Sequence, residues 1–237
     1  KKGRNRAYRQ AFRNRQNQKG KRRNICAMDE EAKGLISDIG NYTVHVVGNF
    51  KFYEGTLCGQ NVVVSGCGVG KVCAATVTAV AIAKFAPELV INSGVAGGTP
   101  PLNQGDMVIP EKSVEHDYYA PDEQTVYYMS DKKVSAALKK ACVKLGYPVK
   151  TCTIATGDSF IDKPEKVAEL KQKFNAEAFD MESAAIAKTC RMFGVKCALV
   201  RSISDNGVDD NMKSFYEFLS EAAKRSQLVV EQTLKNL

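Results

Sequence analysis

Lys196-Cys197-Ala198-Leu199-Val200-Arg201-Ser202-Ile203-Ser204-Asp205 is the stretch on which the reading of the chain turns. Lys196 to Val200 is an apolar run of the length of a buried strand, and the stretch closes on a carboxylate. Apolar runs of this length, alternating with helical patterns, indicate strands of a parallel sheet. In open α/β sheets the ligand lies beyond the carboxyl ends of the strands. An acid at such an end is well placed for chemistry, but acids also serve there as solvated caps, and the stretch alone leaves both readings open.

The same alternation extends outward. Asn24–Met28 reads as a strand end and Asp29–Ala32 as the acidic first turn of a helix. Tyr42–Tyr53 alternates as a hairpin turning at Gly48-Asn49. Val62–Ser65 is a short strand running into Gly66-Cys67-Gly68-Val69-Gly70-Lys71, and an Ala-rich helix follows from Val72 to Phe85. Leu89–Asn92 is a strand, and Ser93-Gly94-Val95-Ala96-Gly97-Gly98 after it reads as a second glycine-rich turn. Asp106–Pro110, Thr151–Ala155 and Ala178–Asp180 are further strands, and His116–Gln124 is a polar loop bearing tyrosines. Helices are expected over Ser135–Leu145, Pro164–Phe174, Ser183–Phe193 and Met212–Leu234, with Pro164 opening one and Gly194 stopping another. The fold expected is α/β: a single domain with a mixed, mostly parallel central sheet flanked by helices on both faces.

A length of 237 residues suits one large domain, and 44% hydrophobic with 25% charged residues is ordinary for a globular protein. The net charge of +8 is unevenly placed. Residues 1–23 hold 11 of the 34 Lys+Arg and no acid, which leaves 23 basic against 26 acidic residues, a net of −3, for residues 24–237. Residues 1–23 are therefore expected to be a basic, disordered or non-native arm ahead of a domain spanning 24–237. Only the arm retains a case for touching nucleic acid or an acidic surface. The eight cysteines, Cys26, Cys58, Cys67, Cys73, Cys142, Cys152, Cys190 and Cys197, show no C-x-x-C pair and sit mostly among apolar residues, as reduced cytoplasmic thiols do. With His45 and His116 the only histidines, a His-rich metal site is not available. No apolar run approaches a membrane span, and the first 23 residues lack the apolar core of a secretory signal.

Gly66-x-Gly68-x-Gly70 lacks both the G-x-G-x-x-G and the P-loop spacings. It reads either as a tight turn at a helix N-terminus or as a place where backbone approaches a small ligand. Ser93–Gly98 carries the same pair of readings, with a ligand wall favoured because a second strand end bears similar glycines. Three acids, Glu31, Glu182 and Asp205, follow strands. Acids gathered in one pocket have their pKa values driven apart, which supplies a proton donor beside a base.

Six motifs occur in order: Cys26-Ala27-Met28-Asp29-Glu30-Glu31, Cys67-Gly68-Val69-Gly70-Lys71-Val72, Asn92-Ser93-Gly94-Val95-Ala96-Gly97-Gly98, Thr156-Gly157-Asp158-Ser159-Phe160-Ile161, Asp180-Met181-Glu182-Ser183-Ala184-Ala185 and Arg201-Ser202-Ile203-Ser204-Asp205. Over about residues 24–237 the chain resembles the bacterial 5′-methylthioadenosine/S-adenosylhomocysteine nucleosidases of the nucleoside phosphorylase superfamily. The resemblance implies hydrolysis of the N-glycosidic bond of these two nucleosides, and of 5′-deoxyadenosine, to adenine and a 5-substituted ribose. It implies Asp205 as the acid that protonates adenine N7, Glu31 as the base that activates water, and Glu182 as the carboxylate that holds the ribose hydroxyls. Met181 would pack beside the sugar, Phe160 near the purine, and the Ile161 backbone along the purine edge. Gly97 would contact substrate, Val69 and Phe215 would surround the 5′-thioether, and Arg201 would lie near the water and Glu31. Met28 and Ser204 complete the substrate contacts.

An acid and a base on either side of a C–N bond form the inverting glycosidase arrangement. No metal or organic cofactor is implied. A homodimer is, with Phe215 or the His116 loop near the partner. The chain departs from the family in three places. Lys19-Gly20-Lys21-Arg22-Arg23 stands where relatives have an apolar first strand, Asp180 where many have Glu, and Val95 where some have Ser. Related purine phosphorylases carry an arginine just before the second glycine stretch, and Asn92 stands here instead, which favours water over phosphate as nucleophile. Two alternatives remain open: a phosphorylase or a nucleosidase for another adenosine derivative such as aminofutalosine, and a non-enzymatic binding module acting through the basic arm.

Overall fold

Two ten-residue strands, β5 (Leu89–Gly98) and β12 (Lys196–Asp205), run parallel through the middle of the protein, from Lys196 opposite Leu89 to Asp205 opposite Gly97. The computed structural model describes residues 23–27, 29–122, 124–205 and 211–237, with side chains from Ala32 onward except those of 211–215. Both strands are apolar on both faces, as strands covered by helices on each side must be. Val90, Ala96, Cys197, Leu199 and Ile203 enter one core, and Leu89, Ile91, Ala198 and Val200 enter the other.

Around this pair the elements follow in order. β1 (Arg23–Ala27) leads to α1 (Asp29–Asp38). β2 (Tyr42–Val47), β3 (Phe50–Leu57) and β4 (Gln60–Gly66) form a meander, and α2 (Lys71–Phe85) precedes β5. β6 (Met107–Val108), β7 (Lys112–Glu115) and β8 (Tyr127–Met129) come next, then α3 (Lys132–Lys144), β9 (Val149–Lys150), β10 (Thr153–Thr156) and α4 (Pro164–Phe174). β11 (Ala178–Asp180), α5 (Ser183–Phe193), β12 and α6 (Asn211–Leu234) complete the chain. α2 and α5 pack on the first core, and α1, α3 and α6 on the second. α4 closes a smaller cluster with Val114, Ala155 and Phe179.

The described strands make one twelve-stranded sheet with the path β2-β3-β4-β1-β5-β11-β10-β7-β8. β12 lies along the other edge of β5 and also pairs with β6. One edge of β5 is therefore shared. β1 pairs in parallel with Leu89–Asn92, and β11 pairs antiparallel with Gly97 and Gly98. Between these two partners the sheet forks. Such a divergence at the carboxyl ends of parallel strands leaves a crevice open to a ligand.

The α/β class and the mixed, mostly parallel sheet match the expectation, but Ser93–Gly98 is not a turn. β5 continues through it. Its small residues are required because neighbours on this strand come too close for side chains. A Cβ on Gly98 would lie 2.9 Å from Ile203 Cγ2, and one on Gly97 3.0 Å from Asp205 Oδ1. Two-sided pairing holds the glycines extended, which their intrinsic preference would not do. The strand expected over Asp106–Pro110 is reduced to Met107–Val108, and the one over Thr151–Ala155 begins at Thr153. The helix ends follow local chemistry. Pro164 opens α4, Asn175 ends it at φ 51°, and Gly194 ends α5 at φ 72°. Asp131 caps α3 by accepting from Lys133 and Val134 N–H. Among the described residues no helix is long and apolar enough to cross a membrane. The expected basic arm lies outside the described residues apart from Arg23, the first residue of β1.

Candidate active site

A cavity of about 560 Å³ opens at the fork, beyond the carboxyl ends of β5, β11 and β12. Asp205 is its acid. The side chain is 2% exposed and lines the cavity. Register between β12 and β5 shifts from Ile203 opposite Ala96 to Asp205 opposite Gly97, so Ser204 is the extra residue of a bulge. Bulges redirect side chains. Here the bulge brings the Asp205 carboxyl against Gly97, where a Cβ would lie 3.0 Å from Oδ1 and push it back by a few tenths of an ångström.

Ser204 lies behind the acid and does not line the cavity. Its hydroxyl is 2.9 Å from Asp205 Oδ2 and 3.2 Å from the Ala96 carbonyl, and Gln104 Nε2 donates to its carbonyl at 2.8 Å. A hydroxyl has one proton and accepts as well as donates. When Asp205 carries a proton on Oδ2, that proton goes to Ser204 Oγ, and Ser204 donates to Ala96. When Asp205 is ionised, Ser204 turns its proton to the carboxylate. Ser204 can thus serve the carboxyl as acceptor or as donor.

Glu182 faces the cavity from the turn between β11 and α5 and is 6% exposed. Its Oε1 accepts the Gly70 N–H at 3.0 Å. Gly70 has φ 92°, a conformation that favours glycine, and a Cβ there would sit 3.0 Å from Asp158 Oδ1. The Gly66–Gly70 turn thus approaches closely to bind a carboxylate of the protein itself. Burial, and then the neighbouring Asp180 charge, push the Glu182 carboxyl up to about 7, while the Gly70 N–H and Arg201 pull the other way.

Under this floor Asp180 and Arg201 form a buried pair, each side chain 2% exposed. Arg201 Nε and Nη2 donate to Asp180 Oδ2 at 3.2 and 2.8 Å. Thr156 Oγ1 donates to Asp180 Oδ1 at 2.6 Å and Ser183 N–H to Oδ2 at 3.0 Å. The guanidinium also reaches Ser183 Oγ at 2.8 Å, the Asn92 and Val200 carbonyls at 3.1 and 3.0 Å, and Asn92 Oδ1. The resemblance put Arg201 near the water and Glu31, whose side chain lies outside the described residues. Among the described residues the partners of Arg201 lie in the fork where β1 leaves β5 at Asn92, and it is not part of the cavity lining. The Asn92 amide oxygen is taken up by Arg201.

The remaining walls are apolar. Val69 lines one side, Phe160 and Ile161 the loop after β10, and Met181 the turn before Glu182. Tyr216 and Leu219, three residues apart on α6, line the outer wall and were not anticipated. Their signal is the helical spacing at the start of the last helix, one residue on from Phe215. Val95, Ala96 and Gly97 line it from the stretch Ser93–Gly98 expected as a ligand wall, and Ser159, Phe179 and Asp180 line it without having been expected as site residues. Among the described residues none that lines the cavity is basic. Val69, Phe160 and Tyr216 are 60%, 38% and 66% exposed, so the mouth presents apolar surface. Glu31 is the third residue of α1, the helix that leaves the carboxyl end of β1. Its side chain and that of Phe215 lie outside the described residues, as does Met28 altogether. No group of three or more His, Cys, Asp or Glu among the described residues is arranged to hold a metal ion.

A family model described as the Phosphorylase superfamily matches residues 24–235. A 5′-methylthioadenosine/S-adenosylhomocysteine nucleosidase of Anoxybacillus flavithermus is 39% identical over 225 residues, covering 90% of this chain and 97% of that protein. One of Shewanella piezotolerans is 36% identical over 226 residues, covering 90% and 98%. Among solved structures, the nucleosidase of the same description from Neisseria meningitidis, in complex with methylthio-immucillin-A, superposes with a TM-score of 0.86 at 34% identity, covering 92% of this chain and 99% of that one. Futalosine hydrolase of Helicobacter pylori gives a TM-score of 0.86 at 27% identity, covering 92% and 98%.

Proposed function

Since the chain belongs to the phosphorylase superfamily and, within it, to the 5′-methylthioadenosine/S-adenosylhomocysteine nucleosidases, we propose that its cavity holds the nucleoside with adenine toward Asp205 and Phe160 and the ribose over Glu182. The enzyme is an N-glycosyl hydrolase. It splits 5′-methylthioadenosine and S-adenosylhomocysteine with water into adenine and the thioribose product. 5′-Deoxyadenosine, with the same base and an apolar 5′ end, is a further expected substrate.

Adenine leaves poorly as an anion. Asp205 gives its proton to N7, so the C1′–N9 electron pair departs onto a neutral base while C1′ gains positive charge. Glu31 takes a proton from the water whose oxygen bonds C1′. Glu182, ionised, accepts from the ribose hydroxyls and supplies negative charge near the forming cation. The observation that carries this reading is the buried Asp205 carboxyl against Gly97, backed by a serine that accommodates it with or without its proton. Met181 packs on the sugar and the Ile161 backbone reads the base. Gly97 admits the base edge, and Val69, Phe215 and Met28 surround the thioether. Arg201 acts from behind, through Asp180.

A cavity wall without a basic side chain among the described residues favours water over phosphate as nucleophile. Adenine release from 5′-methylthioadenosine is expected in phosphate-free buffer and unchanged on adding phosphate. Asp205→Asn is expected to reduce turnover by roughly 10²–10⁴. Release that requires phosphate, or an Asp205→Asn variant of wild-type turnover, would refute the assignment. The likeness to a futalosine hydrolase supports a second reading, aminofutalosine as substrate, which competition between the two nucleosides in the same assay would decide.

The exposed apolar mouth suits burial against a second copy, in a homodimer, which light scattering would detect. Free thiols at the seven cysteines whose side chains are described suit the cytoplasm.

A further inference from the structure

Three segments around the cavity are tied to one another by a closed ring of interactions that includes none of the reacting carboxylates. Asp158 N–H donates to Asp117 Oδ2 at 2.9 Å, Lys71 N–H donates to Asp158 Oδ1 at 2.7 Å, and Lys71 Nζ donates to Asp117 Oδ1 at 2.5 Å. Each of the three residues is joined to both others, and each comes from a different segment: Lys71 opens α2, Asp117 follows β7 and Asp158 follows β10. Lys71 directly follows Val69 and the Gly70 N–H that holds Glu182. Asp158 directly precedes the cavity residues Ser159, Phe160 and Ile161. Asp117 follows β7 and contributes nothing to the cavity lining.

The ring is anchored on its outer side. Glu115 Oε1 lies 3.5 Å from Lys71 Nζ, and its Oε2 takes Lys188 Nζ at 2.7 Å. A side chain at Gly157 would collide with the His116 imidazole, so that loop is seated on the residue before Asp117. Burial alone would raise the Asp117 carboxyl, but the bonds from Lys71 and the Asp158 N–H and the Lys71 charge hold it below its ordinary value.

We propose that Lys71, Asp117 and Asp158 are positioning residues that fix the spacing between the two sides of the cavity, the Val69–Gly70 side and the Ser159–Ile161 side. The inference rests on the reading above, in which the nucleoside spans these sides with its base on one and its ribose and 5′ end on the other. A ligand that bridges two loops loses affinity when it must itself order them, whereas a ligand that touches one loop does not. The direct link between the two sides is the Asp158 carboxylate on the Lys71 N–H. The Lys71–Asp117 ion pair braces it from a partly exposed position, at side-chain exposures of 17% and 32%, where water and salt weaken it.

Asp158→Ala removes the direct link and keeps the Asp158 N–H bond to Asp117. Asp158→Asn restores an acceptor for the Lys71 N–H. For Asp158→Ala we expect the KM for 5′-methylthioadenosine to rise about tenfold, the scale of one lost hydrogen bond to a charged group. We expect kcat and the inhibition constant of free adenine to change less than about threefold, and Asp158→Asn to recover most of the loss. Amide hydrogen exchange provides a readout independent of catalysis. In Asp158→Ala and in Lys71→Met, peptides covering 66–71 and 156–161 are expected to lose protection together. An unchanged KM in Asp158→Ala, an equal loss of adenine affinity, or faster exchange only in the peptide carrying the substitution would overturn the proposal. Failure of the wild-type enzyme to release adenine would instead refute the reading of the cavity, and the exchange experiment would still decide whether the ring couples the loops.

Discussion

Replacing Glu182 by Gln is expected to make the protein more stable in mildly alkaline buffer while removing its activity. The folded protein raises this carboxyl from 4.5 to about 7 because it is buried beside Asp180. At about 1.4 kcal/mol per pH unit, holding it ionised costs the folded state about 3 kcal/mol. The pH window follows from those two values. Below 4.5 both folded and unfolded chains keep the proton and no cost arises. Between 4.5 and 7 the folded chain keeps it and the unfolded chain does not, so this group's contribution to stability declines as pH rises. Above 7 neither holds it and the full cost is present.

Glutamine has no charge to bury and keeps an oxygen for the Gly70 N–H. For a domain of this size about 1 kcal/mol corresponds to 2–4 °C in Tm, so Glu182→Gln should melt roughly 6–12 °C above wild type at pH 8.5. The gain should shrink to a small fraction of that at pH 5. Calorimetry of both proteins at the two pH values measures it, alongside an adenine-release assay in which the variant should be nearly inactive. A variant no more stable than wild type at pH 8.5, or one equally stabilised at both pH values, would refute the electrostatic account of this carboxylate.

Other substitutions test the parts around it. Gly97→Ala places a methyl 3.0 Å from Asp205 Oδ1. It should lower kcat at least about tenfold through displacement of the acid, with Tm nearly kept, and an unchanged kcat would argue against the close packing. Arg201→Met strands the Asp180 charge in the interior and should destabilise by about 3–5 kcal/mol in urea unfolding, as removal of one partner from a buried pair does. A loss below about 1 kcal/mol would show that Thr156 and the Ser183 N–H suffice for Asp180. Val69→Ala removes two methyl groups from the side where the thioether is proposed to lie. It should raise KM about three- to tenfold at near-constant kcat, and an equal fall in kcat would place Val69 nearer the reacting bond.

Legibility from sequence varied with the kind of information each residue needed. Asp205 was readable because an apolar run ending on an acid has a meaning in a parallel sheet whatever its neighbours are. Glu182 was readable as an acid after a strand, but its raised pKa was not, because that depends on burial by distant segments and on the Asp180 charge, and is only partly offset by the Gly70 N–H, 112 positions away. Ser93–Gly98 was misread because glycines signal turns locally. The pairing that keeps them extended comes from β11 and β12, about 80 to 110 residues downstream. The partners of Arg201 were not readable, because Asp180, Ser183 and Asn92 reach it only through the fork in the sheet. Tyr216 and Leu219 stayed hidden because helical spacing marks a face without saying what that face meets.

β1 is the first strand in sequence and lies in the interior of the sheet, between β4 and β5. Arg23 pairs opposite Leu89, whereas the cavity lies at the far ends of β5 and β12, at Gly97 and Asp205. The chain therefore enters the sheet at the pole opposite the chemistry. A tether, label or immobilising surface joined ahead of Arg23 meets the domain at its back, with the mouth directed away. For the same reason a cut inside β1 would not trim an edge; it would remove the strand that joins the β2–β4 meander to the sheet carrying the acid.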